Sequence, residues 1–491
     1  MTKWSRPIYA PTIYLFAFQF RDKLPWEVNN TFLSQDWLVQ KYRQILDKYY
    51  AFKTIKFELK KSWVEPAGQL QNHSIQARQE QNFLGTIKTN KGLEIISGKA
   101  YPQLIDDSYV VELKLHQSER SRKKGISIRQ LKDYNPKGCF LPRKINTNLG
   151  QTLAIATVLA EGEYLEKAEL KLLADRCIFS FLHSFALQEK PIFTYSGNLF
   201  NGYIFVYKLP EHIYKYNQII VYFFLREEDI ERWQKHHHQL AQLWLYQHKI
   251  VYAHQYINHK IKLASHQLNK LESYLELHRT KYNYSSLSSV LSFQKNKNKR
   301  QKKVSINLKQ LEYQLKLIQN VATEYNRLLL EIKHYHGLLL IYRKKYQQEL
   351  ELFNQKRSFF TYFWEEKCSE LPQEIRTNLT FLEQGSQRFQ QIINKTISLI
   401  EIEKADRILN LRNTIAVVGV GLGVANIFAI SYSTKANFEQ FQETVPQTLE
   451  QNENWYFATK YFVQSISVGL LAAIITFILI KLWQKNPVVR N

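Results

Sequence analysis

Residues 413–434 read NTIAVVGVGLGVANIFAISYST, 22 positions without a charge, and residues 461–480 read YFVQSISVGLLAAIITFILI, 20 more. A helix needs about 20 consecutive apolar residues to cross the hydrocarbon core of a bilayer. The two runs therefore predict two C-terminal transmembrane helices, 413–434 and 461–483, joined by an acidic outer loop over 435–460 and followed by a tail over 484–491. Lys404, Arg407 and Arg412 precede the first run, and Lys481, Lys485 and Arg490 follow the second. The loop carries Glu439, Glu443, Glu450 and Glu453 against Lys435 and Lys460. Basic residues collect on the cytoplasmic side of a membrane. This distribution predicts an integral membrane protein with both termini in the cytoplasm, at the inner or plasma membrane if the source is bacterial. The longest early apolar stretch, 13–18, is too short for a signal-peptide core, so the N-terminal part is expected to stay cytosolic.

Within the first run, 416–425 reads AVVGVGLGVA and imitates the glycine-rich turn of a dinucleotide-binding unit. Such a turn needs a strand before it and further βαβ units after it, and a helical pattern stands upstream instead. Gly419 and Gly423 form a GxxxG pair, and Gly421 with Ala425 repeats the small-residue spacing that lets helix backbones approach closely in lipid.

Working back toward the N-terminus, the pattern is helical. One long helix is expected from Asp229 to about Tyr282, with a seam through Ile257, Ile261, Ala264, Leu268, Leu271 and Leu275 in steps of four and three, the spacing of a coiled-coil stripe. A basic elbow over 283–303 follows. It ends in KNKNKRQKK, whose Lys295, Lys297, Lys299, Arg300, Lys302 and Lys303 have no acidic neighbour in the run. The seam resumes through Val304, Leu308, Leu311, Leu315, Ile318, Ala322, Tyr325, Leu329 and Ile332 and carries on past Gly337 to about Trp364. Pro372 marks a restart, because proline is tolerated in the first turn of a helix. These elements make a helical hairpin over 227–372 and a stalk helix over 373–412 that runs on into 413–434. An antiparallel hairpin brings the elbow toward the cytoplasmic headgroups, where each Lys or Arg is worth about 1 kcal/mol near anionic lipid. The other reading of the run is a solvated loop with no partner.

Residues 1–226 are built differently. Residues 1–210 hold ten of the 16 glycines and nine of the 12 prolines, so the chain turns often there. Strand-forming runs at 12–20, 54–59, 108–115, 192–195, 203–207 and 218–225, with helical stretches at 36–49 and 163–188, predict an α+β (or α/β) domain with a mixed sheet. No P-loop, GxSxG or HExxH motif occurs in the sequence, and no enzymatic activity is expected. The acidic pairs Asp106–Asp107 and Glu161/Glu163, and the basic group of 120–124 with Arg129 and Lys132, read as solvated charges. His236, His237 and His238 are adjacent on a predicted helix and fan about 100° apart, so they do not read as one metal-binding face. His259/His266 and His334/His336 do not converge either, and the metal ligands, if any, are unknown. A net charge of +24 with 45% hydrophobic and 14% aromatic residues excludes a disordered polycation. Cys139, Cys177 and Cys368 are scattered, which excludes a disulfide scaffold or thiolate zinc site. No aromatic-plus-basic motif accompanies the charge, so nucleic acid is not expected as a partner.

A cytosolic α/β domain, long helices, a stalk and two C-terminal spans resemble, in that order, the CorA-type divalent cation transporter superfamily. The residues carrying the likeness are 410–416 (NLRNTIA), the acidic outer loop and the short basic tail. That family carries a Gly-Met-Asn motif at the outer end of its first span, whereas the only methionine here is Met1 and 430–434 reads ISYST. The resemblance implies a homo-pentamer in the lipid membrane, with a pore lined by the first span. Gly419, Gly423, Asn426, Ser431 and Thr434 would line that pore, and the four loop glutamates would gather cations at its mouth. A divalent cation is the cargo implied, and no other cofactor. The expected function is a cation transporter or channel gated by its cytosolic domain. The alternative is a membrane-anchored coiled-coil tether or scaffold, or a ligand-gated membrane effector.

Overall fold

The computed structural model describes residues 7–21, 35–49, 81–89, 92–117, 125–160, 165–183, 190–209, 215–282, 308–353 and 358–440, with five single positions between 467 and 478. The chain divides into two units, residues 1–273 with 324–386 and residues 274–323 with 387–491.

In the first unit, β1 (Pro7–Phe20) is the central strand of a sheet that also contains β2 (Gln81–Thr89), β3 (Gly92–Ile105), β4 (Ser108–Gln117), β5 (Ile126–Ser127), β6 (Gly150–Val158), β7 (Ile192–Leu199), β8 (Gly202–Lys208) and β9 (Tyr216–Phe224). The order is β2-β3-β4-β1-β6-β9-β8-β7, with β5 pairing on β1. The described pairings are antiparallel except β6 with β9. Two halves share one layout: a strand, a helix, then a three-strand meander whose last strand returns beside the first. The helices are α1 (Gln35–Leu46) in one half and α2 (Lys167–Leu182) in the other.

Period-two alternation splits each central strand between two faces. Ile13, Leu15 and Ala17 of β1 join Leu113, Leu153, Val221 and their neighbours against Tyr42 and Ile45 of α1 and Leu170, Cys177 and Phe181 of α2. The opposite face of β1 is aromatic. It is covered by α3 (Glu227–Lys235) and α4 (His237–Tyr282). Phe16 meets Trp244 at 4.7 Å between ring centroids, Phe18 meets His248 at 4.7 Å and Phe20 meets Tyr252 at 5.4 Å. Two strand residues advance about 6.8 Å and four helical residues about 6 Å. Helix α4 therefore runs along β1 in the same direction, and the steps stay matched.

Past the sheet, α4 packs on α5 (Leu308–Phe353), with Ile257, Ala264, Leu268 and Leu271 buried on one side and Tyr325, Leu329, Ile332 and Tyr335 on the other. The rings of Tyr256 and Tyr335 lie 4.0 Å apart, and Lys260 Nζ reaches Glu331 at 2.6 Å. After α6 (Phe359–Phe363) and a π-helical turn, α7 (Leu371–Gln440) begins with Pro372 in its first turn, the expected restart. The Tyr325 hydroxyl donates to the Leu382 carbonyl at 2.6 Å and Ser386 to Asn326 at 2.8 Å, tying α5 to α7 inside the first unit. In the second unit, Lys404 pairs with Glu312 at 3.0 Å.

Two expectations are corrected. The first is the pair of C-terminal transmembrane helices: among the described residues, no helix is long and apolar enough to cross a membrane. The side chains described beyond Ile400 on α7 include Glu401, Glu403, Lys404 and Arg407. The integral-membrane localisation, the transmembrane fold class and the channel reading rested on those helices and are withdrawn with them. The backbone of 413–434 continues α7, but its side chains lie outside the described set. Of 461–483 only Ser467, Leu471, Ile474, Ile475 and Ile478 are described, all helical.

The second correction concerns the single helix from Asp229 to Tyr282, which is broken at His236 (φ −99, ψ 5). Trp233 and Trp244 stand 5.7 Å apart between ring centroids. Eleven residues of straight helix would separate them by about 16 Å along the axis. The break lets both indoles enter one aromatic cluster with Tyr222, 4.2 Å from Trp233.

Candidate functional site

The break at His236 places His237 and His238 in the first turn of α4. Their rings stack at 4.3 Å and 28°. Opposite them stands Glu112. In β4 (SYVVELKLHQ), Val111, Leu113 and Leu115 fill the apolar core, so alternation sends Glu112 to the α4 side. Its side chain is 1% exposed. A buried carboxylate is costly unless its oxygens are satisfied, and here both are. His237 Nδ1 lies 2.5 Å from Oε1, and Gln103 Nε2 of neighbouring β3 donates to Oε2 at 2.5 Å. Tyr42 donates to the Glu112 backbone carbonyl at 2.9 Å, and the Tyr101 ring lies 5.0 Å from that of His237. The carboxylate also sits by the N-terminal end of α4, where the helix dipole favours negative charge. One donor atom from each of Glu112, His237 and His238 falls within 4.8 Å of the other two, the one such group among the described residues. His259 with His266 and His334 with His336 form no such group among the described residues.

A second cluster lies at the β3–β4 turn. Asp106 and Asp107, expected from the sequence to be solvated, are instead engaged by helices. Tyr246 and Lys345 donate to Asp106 Oδ2 at 2.7 and 2.6 Å, and Lys249 Nζ reaches Asp107 Oδ1 at 2.5 Å. Lys249 is fully buried, with the rings of Tyr342, Tyr246 and Phe20 at 5.3, 5.5 and 6.0 Å. Burial works against ionisation of Asp106. The hydrogen bonds from Lys345 and Tyr246 and the charge of Lys249 outweigh it and hold the carboxyl below its ordinary range.

Between these clusters, His248 accepts from Thr152 at 2.9 Å through Nε2 and donates to the Leu149 carbonyl at 3.1 Å through Nδ1, a tautomer assigned from the network. Thr152 in turn accepts from Gln218 at 2.8 Å. Burial pushes the His248 imidazole down to about 3.

Of the residues singled out from the sequence, Gly419, Gly423, Asn426, Ser431, Thr434 and Glu439 lie on the helical backbone of α7, with side chains outside the described set. Glu443, Glu450 and Glu453, the strand expected at 54–59, and Lys295, Lys297, Lys299, Arg300, Lys302 and Lys303 lie outside the described residues. Sequence reasoning passed over Glu112. Glu112 alternates with Val111, Leu113 and Leu115 and shares its face with Lys114 and His116, a pattern that reads as a solvent-facing side; only the packing of α4 on that face buries it. No protein-family model, no curated protein and no solved structure matches this chain.

Proposed function

We propose that this protein is a non-enzymatic helical scaffold whose sheet and helical hairpin behave as one mechanical element. The observation that carries this reading is the double use of α4. Trp244 and His248 of that helix pack on β1, while Ile257, Ala264 and Leu268, a few turns further on, build the hairpin seam with α5. A packed interior transmits displacement rather than absorbing it. A partner that moves the sheet therefore moves the hairpin. The β3–β4 turn strengthens the coupling, because Asp107 and Asp106 grip Lys249 on α4 and Lys345 on α5. The scaffold is the tether alternative of the sequence without its membrane anchorage.

The test is amide hydrogen exchange on the full chain and on Asp107→Asn. That substitution removes the carboxylate in contact with the buried Lys249 and leaves its charge to Asp106 and the surrounding rings, which weakens the grip of the turn on α4. Protection should fall across the seam at 257–271 as well as at the turn. Loss confined to the turn, with the seam unchanged, would overturn the reading.

A further inference from the structure

We propose that Glu112, His237 and His238 form a binding site for a divalent transition cation of the zinc class. The donor set argues for this class. Two imidazole nitrogens and one carboxylate oxygen suit zinc and its neighbours, whereas magnesium and calcium take oxygen ligands. Spacing agrees. Bonds of about 2.0–2.2 Å in a tetrahedron put donor atoms roughly 3.3–3.5 Å apart. The three donors already lie within 4.8 Å of one another, and the 2.5 Å His237–Glu112 contact opens by about 1 Å. Both histidines stand on a first helical turn that follows a break, so a small ring rotation supplies the movement.

The surroundings support the same assignment. A ligating carboxylate is ordinarily held by a further hydrogen bond, and Gln103 provides one to Oε2. Glu112 is buried within the sheet and its backbone is pinned by Tyr42. A cation at a helix N-terminus meets an unfavourable dipole of about half a charge, and the carboxylate opposes it with a full one. A simple His237–Glu112 contact leaves the position of His238 unexplained, since its ring is stacked beside the pair and half-buried rather than turned to solvent. Three protein ligands leave the fourth position to water.

The site is independent of the scaffold reading, which is tested by exchange and not by binding. Zinc chloride, and cobalt chloride as a spectroscopic probe, are titrated into the full-length protein by calorimetry and visible absorption. One equivalent should bind, with the intense absorption of tetrahedral cobalt, and excess magnesium should not displace it. His238→Ala, at a half-buried ring, should weaken affinity at least about 100-fold while leaving the circular dichroism spectrum unchanged. Gln103→Ala should weaken it about 10-fold, the effect of losing an outer hydrogen bond. Glu112→Gln is the stricter variant if it folds. Binding of equal strength in the wild type and His238→Ala, or only weak binding of several equivalents, would overturn the proposal.

Discussion

At the scale of single residues, the sheet–helix layer depends on a polar ladder inside an aromatic one. His248 occupies a rung between Trp244 and Tyr252, and its protonation state is coupled to folding. Burial holds it down at about 3, whereas a histidine in an unfolded chain titrates near 6.5. Between those values the unfolded state binds a proton that the folded state does not. The stability His248 contributes is therefore fully present above about pH 6.5 and is lost as the pH falls toward about 3, at about 1.4 kcal/mol per pH unit for this one group. His248→Gln should lower the denaturation midpoint at neutral pH and flatten its decline below pH 6.5. Two parallel curves for wild type and variant would show that the acid limb belongs to other groups. Gly150 shows a different constraint. Its φ is +100, and a Cβ there would lie 2.0 Å from the Tyr216 carbonyl oxygen. Glycine alone lets β6 start this close to β9.

At the scale of elements, two helical glycines look alike in sequence and differ in surroundings. A Cβ on Gly337, inside α5, would stand in open space with nothing within 4 Å, while a Cβ on Gly385 of α7 would meet the Tyr325 hydroxyl at 2.4 Å. Alanine is favoured over glycine in a helix by about 1 kcal/mol. Gly337→Ala should therefore raise stability by up to about 1 kcal/mol. Gly385→Ala should lower it by about 1–3 kcal/mol, because it displaces the tyrosine that bonds to Leu382. Urea denaturation of both variants measures the pair, and changes of equal sign would contradict this account. The α5 seam is largely legible from residue spacing: Leu311, Ile318, Ala322, Tyr325, Leu329 and Ile332 fall at the predicted steps and are buried, Leu308 and Leu315 are half-buried, and Val304 lies outside the described residues. Strand β6 is not legible in that way. All nine of its residues are buried, so no polar–apolar alternation marks it. Strand β3 is hidden by Gly98 and Pro102, yet the ring of Phe83 on β2 fills the space that a Cβ on Gly98 would take.

Across the molecule, α4 joins the sheet to the hairpin within the first unit, and the two are expected to unfold together. Trp244 is fully buried between Phe16 of the sheet and Phe360 of α6. Trp244→Ala should cost about 3–5 kcal/mol. Because sheet and hairpin share the helix, near-ultraviolet signals from the aromatic layer and far-ultraviolet helical signals should shift together to a lower midpoint. Separate midpoints would mean that the helices hold without the sheet.

The long helices, the two amphipathic seams, the restart at Pro372 and a strand-rich N-terminal region can all be read from residue order, because each depends on spacing between near neighbours. Uncharged length at 413–434 and 461–480 was just as plain, but a transmembrane assignment did not follow from it, as no described helix is long and apolar enough. The strand order, the break at His236 and the meeting of Glu112 with His237 and His238 emerge from the folded arrangement alone. Glu112 and His237 stand 125 positions apart in the chain. Their proximity follows from which faces bury together, a property of the packed whole that no local period encodes.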